Sequence, residues 1–197
     1  MMIDASRPLI LIGAGGHAKS LQDALISQNL GFTHYVDVES KGWADENNIV
    51  RMHEEALAKL LASGPQLVMG FVGADVASLQ KRLQLMRDYQ SKGATFPAII
   101  HASAIVSTKA TLAAGINILA GAVLNGYSSL AEGVIVNTAA VIEHDAQIGA
   151  GTHIAPRSVV LGGAKVGDCC YIGSNAVMVQ NSTVASNQFI KSLTVHI

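Results

Sequence analysis

This sequence is short of charge. Only 14% of its 197 residues are Asp, Glu, Lys or Arg, and the two signs nearly cancel to a net charge of -1. Such a balance excludes a basic field for nucleic acid and a polybasic segment for anionic lipid. Long apolar runs are also missing: none approaches the ~20 residues needed to span a bilayer. Residues 1–7 lack the charged lead and long apolar core of a signal peptide, so a cytoplasmic location is expected. Cysteine is scarce, and Cys169 and Cys170 are adjacent, which is poor geometry for an ordinary disulfide. They read as small core and wall residues of a reduced protein.

What is present is a register. Every sixth residue from Val106 through Leu112, Ile118 and Leu124 to Ile190 is apolar, fifteen positions without an insertion or deletion. Two residues before each, the side chain is mostly small, as at Ala122, Ala140, Thr152, Ala164 and Cys170. A fixed period over this length marks a repeat architecture. Six is neither the 3.6 of a helix nor the alternation of a plain strand. It fits short strands separated by turns, three to a triangular coil of 18 residues, with stacked coils burying one aliphatic column.

Ahead of the repeat lies an α/β segment. Leu9–Ile12 is an all-apolar run suited to a strand buried on both faces. It leads into Gly13-Ala14-Gly15-Gly16-His17-Ala18-Lys19 and then a helical pattern. Strand, glycine turn and helix start can present free N–H groups and a helix dipole to a phosphate. A second strand, Phe32 to Val38, carries Asp37 where a dinucleotide fold keeps its ribose-binding acid. A tight turn with no ligand remains the bland alternative. Further elements are expected over 54–61 (helix), 67–72 (strand) and 76–89 (helix, with Leu79, Leu83, Leu85 and Met86 on one side), whereas 40–52 is polar and without pattern. The short α/β region suits a nucleotide or nucleotide-sugar better than NAD. Residues 1–100 are therefore read as a Rossmann-like domain and 101–197 as the repeat domain, with no flexible linker between them.

On the repeat, Glu143-His144-Asp145 breaks the monotony. The 18-residue column through His144 reads Thr108, Gly126, His144, Gly162, Gln180, so glycines flank the histidine and its ring has open space above and below. His153 is half a coil away and belongs to another side of the triangle; the two histidines meet only across a subunit boundary. The same geometry argues against a single-chain metal site, which needs converging ligands at about 2 Å, and no metal is expected.

The glycine turn with Gly16-His17, the strand end Val36-Asp37, the run from Ile100-His101 to Val106, Val136-Asn137-Thr138, Val141-Ile142-Glu143-His144-Asp145, Ile148-Gly149 and His153-Ile154 together resemble a known family. It is the sugar acetyltransferase family of the NeuD/PglD type, sialic-acid O-acetyltransferases and 4-amino-sugar N-acetyltransferases within the hexapeptide-repeat transferases. The resemblance implies a left-handed parallel β-helix, a homotrimer with sites between subunits, acetyl-CoA as cosubstrate and a nucleotide-linked amino sugar as acceptor. It implies His144 as general base with Asp145 assisting (Glu143 is the open alternative), and His153 and Gly162 on acetyl-CoA. Gly15, Gly16, His17 and Asp37 then hold the nucleotide, and Asn137 lines the pocket. A sugar O-acetyltransferase and a silent β-helix binding protein are the competing expectations; a three-histidine metal hydratase lacks its third histidine. Two departures stand out. Ala102 replaces a common proline, and the segment Phe189–Ile197 lacks the glycine-rich tail that helps relatives hold CoA.

Overall fold

The computed structural model describes residues 3–197. Leu9–Ile12 (β1) leads through the glycine turn to Gly16–Ile26 (α1), then His34–Val36 (β2), Gly42–Glu46 (α2) and Val50–Arg51 (β3). Glu54–Leu60 (α3), Gln66–Met69 (β4) and Val76–Ser91 (α4) complete the first part. The four strands form one parallel sheet in the order β3-β2-β1-β4, the opening order of a Rossmann sheet. Strands β1 and β4 are buried at every position. The all-apolar sequence of β1 reflects helices on both faces of the sheet. The segment 40–52 was unreadable for a physical reason. Its helix α2 is five residues long and buries only Ala44, and β3 is a two-residue edge strand, so neither displays a period.

From Ile99–Ile100 onward the chain winds into seventeen two-residue strands, ending at Val195–His196, in three parallel sheets of five, six and six strands. Partners are 18 residues apart, as in Ile135 against His153 and His153 against Tyr171. The second residue of each strand points inward. Ile118, Val136, Ile142, Ile154, Val160, Ile172 and Met178 are all fully buried. Small corner residues such as Ala122, Ala140, Ala164 and Cys170 fill what remains of the triangle. Where the corner residue is serine, the hydroxyl is satisfied locally: Ser158 Oγ donates to the Ala155 carbonyl at 2.6 Å and Ser128 Oγ to that of Asn125 at 2.7 Å. Cys169 and Cys170 are free and buried.

The three outer faces differ. The first, with outward residues Ile99, Asn117, Ile135, His153, Tyr171 and Phe189, is covered over most of its length by the α/β part. The second presents Ile105, Val123, Val141, Val159, Val177 and Val195, which stay half-buried or exposed. The third presents Thr111, Ser129, Gln147, Lys165 and Thr183 to solvent.

Helix α4 is the clamp between the two parts. Asp75 caps its start by accepting the Ser78 N–H at 2.7 Å. The helix lies along a prism corner made of Gly115, Gly133 and Gly151, all with φ between +67 and +69°. A Cβ on Gly115 would meet Met86 Sδ at 2.8 Å, and one on Gly151 would meet Leu83 Cβ at 3.1 Å, so glycine lets the helix approach the corner closely. Gln80 Nε2 donates to Asn187 Oδ1 at 2.8 Å farther along the same corner. No helix among the described residues is long and apolar enough to cross a membrane.

Candidate active site

The polar residues anticipated from sequence fall into three clusters. At the C-terminal edge of the sheet, Gly13 adopts φ +81°, and a Cβ on Gly70 would run into the Gly13 carbonyl. The ends of β1 and β4 therefore touch, at the crevice where sheets of this topology take ligands. Gly15 and Gly16 start α1, are exposed, and would leave an added Cβ in open space. No side chain caps this helix start, and no acidic residue lies in its first turn. Its N–H groups and dipole are left for an anion. Asp37 accepts the Ala14 N–H at 2.8 Å and the Glu39 N–H at 3.2 Å, with Lys41 Nζ at 3.6 Å. Partial burial works against its ionisation, but these hydrogen bonds and the lysine outweigh it and hold the carboxyl below its ordinary value. Trp43, in the segment that gave no sequence signal, donates its indole N–H to the Ala14 carbonyl at 3.0 Å and braces the turn from the other side. Beside Asp37 a pocket of about 400 Å³ opens between Val38, Arg51, His53 and Glu54.

The second cluster sits where α1 meets the covered face of the prism. His153 is buried, its Nε2 lies 3.0 Å from Asn137 Nδ2, and its ring meets Tyr171 edge-on at 5.1 Å. The Asn137 amide is oriented by its own turn, since Oδ1 accepts the Thr138 N–H at 2.8 Å. Its NH₂ therefore donates to Nε2, and the proton of the neutral imidazole belongs on Nδ1. That Nδ1 is buried and has no partner. His17, at the start of α1, reaches towards Asn117 Nδ2 at 3.5 Å. Desolvation, then the nearby Arg82 charge, drives the His153 imidazole down to about 4. The same two causes, with a contribution from His153, take His17 to about 3. Both rings are neutral at physiological pH.

The third cluster is His144 with Asp145, exposed at the corner that follows Val141–Ile142. Asp145 adopts φ +60°, and its carboxylate Oδ2 lies 2.8 Å from His144 Nδ1. Asp145 thus fixes the tautomer and leaves Nε2 as the basic nitrogen. Glu143 makes no side-chain bond to the ring among the described residues, so the geometry distinguishes the two acids. The space around His144 is less open than its column suggested. A Cβ on Gly162 would lie 2.7 Å from His144 Cε1 and 2.8 Å from Nε2, so the ring already occupies the room that Gly162 leaves. On the other side, Gly126 faces Ser107 and Lys109 rather than the ring. The Gly162 N–H has no acceptor among the described residues.

The structure brings His17, Asn117, Asn137, His153 and Arg82 together in one group, and His144, Asp145 and Gly162 in another. Within one chain these groups share no contact: they flank opposite edges of the aliphatic face, Asn137–Thr138 before Val141 and His144–Asp145 after Ile142. Arg82, Asn117 and Trp43 were not singled out from sequence. Arg82 did leave a signal. Leu79, Arg82, Leu83 and Met86 are the buried residues of α4, so the arginine sits inside the apolar stripe. Among the described residues no group of three His, Cys, Asp or Glu side chains is arranged to hold a metal.

Comparison with known proteins agrees with this architecture. Residues 145–180 match the bacterial transferase hexapeptide (six repeats) family. A perosamine N-acetyltransferase from Caulobacter crescentus, solved with CoA and GDP-perosamine as a variant with one histidine replaced by asparagine, superposes with a TM-score of 0.86. It is 26% identical, and the match covers 96% of this chain and 88% of that one. The acetyltransferase domain of PglB from Neisseria gonorrhoeae, solved with acetyl coenzyme A, is 28% identical over 97% of this chain and 91% of its own, with a TM-score of 0.85. WeeI from Acinetobacter baumannii shares the fold at 14% identity, with a TM-score of 0.72. A search of curated protein sequences finds no match. By its repeat, and by a likeness that runs nearly the whole length of both enzymes, the chain is built like the acetyltransferases of the hexapeptide-repeat type.

Proposed function

We propose that this protein transfers the acetyl group of acetyl-CoA to the amine of a nucleotide-linked 4-amino-4,6-dideoxy sugar for surface glycan synthesis, working as a homotrimer. In this reading residues 1–100 hold the nucleotide and residues 101–197 carry the transfer. The observation that carries it is the division of the polar residues between the two edges of a bare aliphatic face. A ring of copies packed through Val123, Val141, Val159 and Val177 sets the trailing edge of one face against the leading edge of the next. His144 of one copy then faces Asn137, His153 and His17 of its neighbour. The likeness to enzymes solved with CoA, acetyl-CoA and GDP-perosamine supports the choice of substrates.

The geometry supports the following roles. Gly15, Gly16 and His17 receive the diphosphate at the α1 N-terminus, and Asp37 stands beside the ribose and base. The sugar amine attacks the thioester carbonyl carbon, forming the C–N bond while His144 Nε2 takes a proton from nitrogen. Asp145 stabilises the imidazolium through Nδ1–H. The free Gly162 N–H donates to the developing oxyanion. Collapse breaks the C–S bond, and the departing thiolate takes the proton from His144. His153, neutral and held by Asn137, stands on the acetyl-CoA side of the site. The test is thiol release from acetyl-CoA with UDP-, GDP- and dTDP-linked 4-amino sugars and free sialic acid. Release with one amino sugar is the expected result. Release with sialic acid alone makes the protein an O-acetyltransferase, and silence across the panel with nucleotide-sugar still bound makes it a binding protein.

A further inference from the structure

Arg82 is fully buried and has no carboxylate partner among the described residues. Its Nε donates to the Phe71 carbonyl at 3.0 Å, just past the end of β4, and Nη1 donates to the Gly133 carbonyl on the prism at 2.6 Å. Its Nη2 is buried without a partner. Burial lowers the guanidinium only to about 10, so it remains a cation at any physiological pH. An interior charge of this kind is costly, and a methionine or leucine would fill the same stripe of α4 without that cost. Packing therefore does not explain it. Its surroundings do. His17 from α1 and His153 from the prism both lie within its electrostatic reach, and the other groups facing the two rings are Asn117, Asn137 and Tyr171, none of them anionic. The remaining ionic groups nearby are paired elsewhere: Arg87 with Glu132 at 2.6 Å, and Asp23 with His101 at 3.5 Å.

We propose that Arg82 is a positioning residue of the acetyl-transfer site: an unneutralised guanidinium that ties the end of β4 to the prism and sets the charge against which His17 and His153 are held. Two devices then act on His153 together. Asn137, oriented by Thr138, presents N–H to Nε2 and would face another N–H if the ring took a second proton. The Arg82 charge opposes that proton as well. The imidazole is kept neutral with its Nδ1–H buried and unpartnered, and His17 is kept neutral at the start of α1. The proposal relies on the acetyl-transfer reading for its purpose but not for its test.

The test is the ¹⁵N imidazole spectrum of the whole protein between pH 7 and pH 4, for wild type, Arg82→Met and Arg82→Lys. Wild type is expected to keep both rings neutral to the acid limit of the fold. Arg82→Met should raise the proton affinity of both rings at least about threefold, half a pH unit, whereas Arg82→Lys should stay near wild type because it keeps the charge and loses the fork. If Arg82→Met does not fold, Arg82→Gln takes its place. Either ring titrating in the ordinary histidine range in wild type overturns the proposal. So does a lysine variant that shifts as far as the methionine one, since bond geometry rather than charge would then be responsible. The readout needs no substrate, so a protein that acetylates nothing on the panel leaves this result standing on its own.

Discussion

Two faces of the prism share one backbone and one inner column, yet differ in every outward residue that matters. The covered face carries Asn117, His153 and Tyr171 beneath the α/β part, and its histidine is buried and neutral. The aliphatic face carries five valines and an isoleucine with no part of its own chain upon them, and its flanking histidine is exposed. The inner column builds the solenoid, while the outer columns decide what each side meets. A face covered by its own chain holds polar residues at fixed tautomers; the face left bare by its own chain keeps them to its edges.

The contrast can be broken in stages. Replacing His144 by Ala removes the proposed base and should lower turnover by roughly 10² to 10⁴-fold, with an unchanged circular dichroism spectrum. Near-normal turnover would sink the assignment. Val159→Asp places a charge at the centre of the aliphatic face and should convert the proposed trimer to monomer in sedimentation while abolishing most activity. The comparison is sharpened by mixing two dead proteins, His144→Ala and His153→Ala, dissociated and reassembled together. Random trimers should regain about a quarter of wild-type sites, and no recovery would mean that each chain works alone. Gly162→Ala introduces a Cβ 2.7 Å from the His144 ring, which can swing into solvent. Its fold should therefore survive while kcat falls about 10 to 100-fold, with KM for the nucleotide sugar nearly constant.

A smaller effect concerns acid stability. The His153 and His17 pKa values drop from an ordinary 6.5 to about 4 and about 3 on folding. Above pH 6.5 neither ring is protonated in either state. As pH falls below that value the unfolded chain takes up protons that the folded chain refuses. Stability is then lost by up to about 1.4 kcal/mol per pH unit for each ring, until each folded value is reached. Urea midpoints at pH 7, 6 and 5 should fall accordingly, and His153→Asn should lessen the slope; an unchanged slope would contradict the burial of that ring. Smallest of all, Lys165→Glu on the polar face should move the melting temperature by less than about 2 °C and leave assembly untouched.

Much of this was legible in the chain itself. The hexad register specifies the coils because each strand is two residues long and its partner always 18 away, so no tertiary contact can override the period. The glycine turn was equally readable, since strand, turn and helix are contiguous. The pairing of His144 with Asp145 rather than Glu143 was not. It depends on the left-handed backbone at Asp145, which swings that carboxylate back to Nδ1. Trp43 was hidden because its contact to Ala14 spans 29 residues and a helix too short to show a pattern. Arg82 lay in plain view inside an apolar stripe, but a long-stemmed residue there reads as surface until the corner glycines are known to bring the prism up against it.

His144 is 59% exposed at its side chain, and the prism beside it carries no inserted loop that might fold over the ring. In the proposed trimer, water is excluded from that histidine only when another chain arrives. Protein concentration thus acts as a reagent: dilution below the dissociation midpoint should extinguish specific activity while every individual fold stays intact, and turnover per chain should climb towards a plateau as more chains are added.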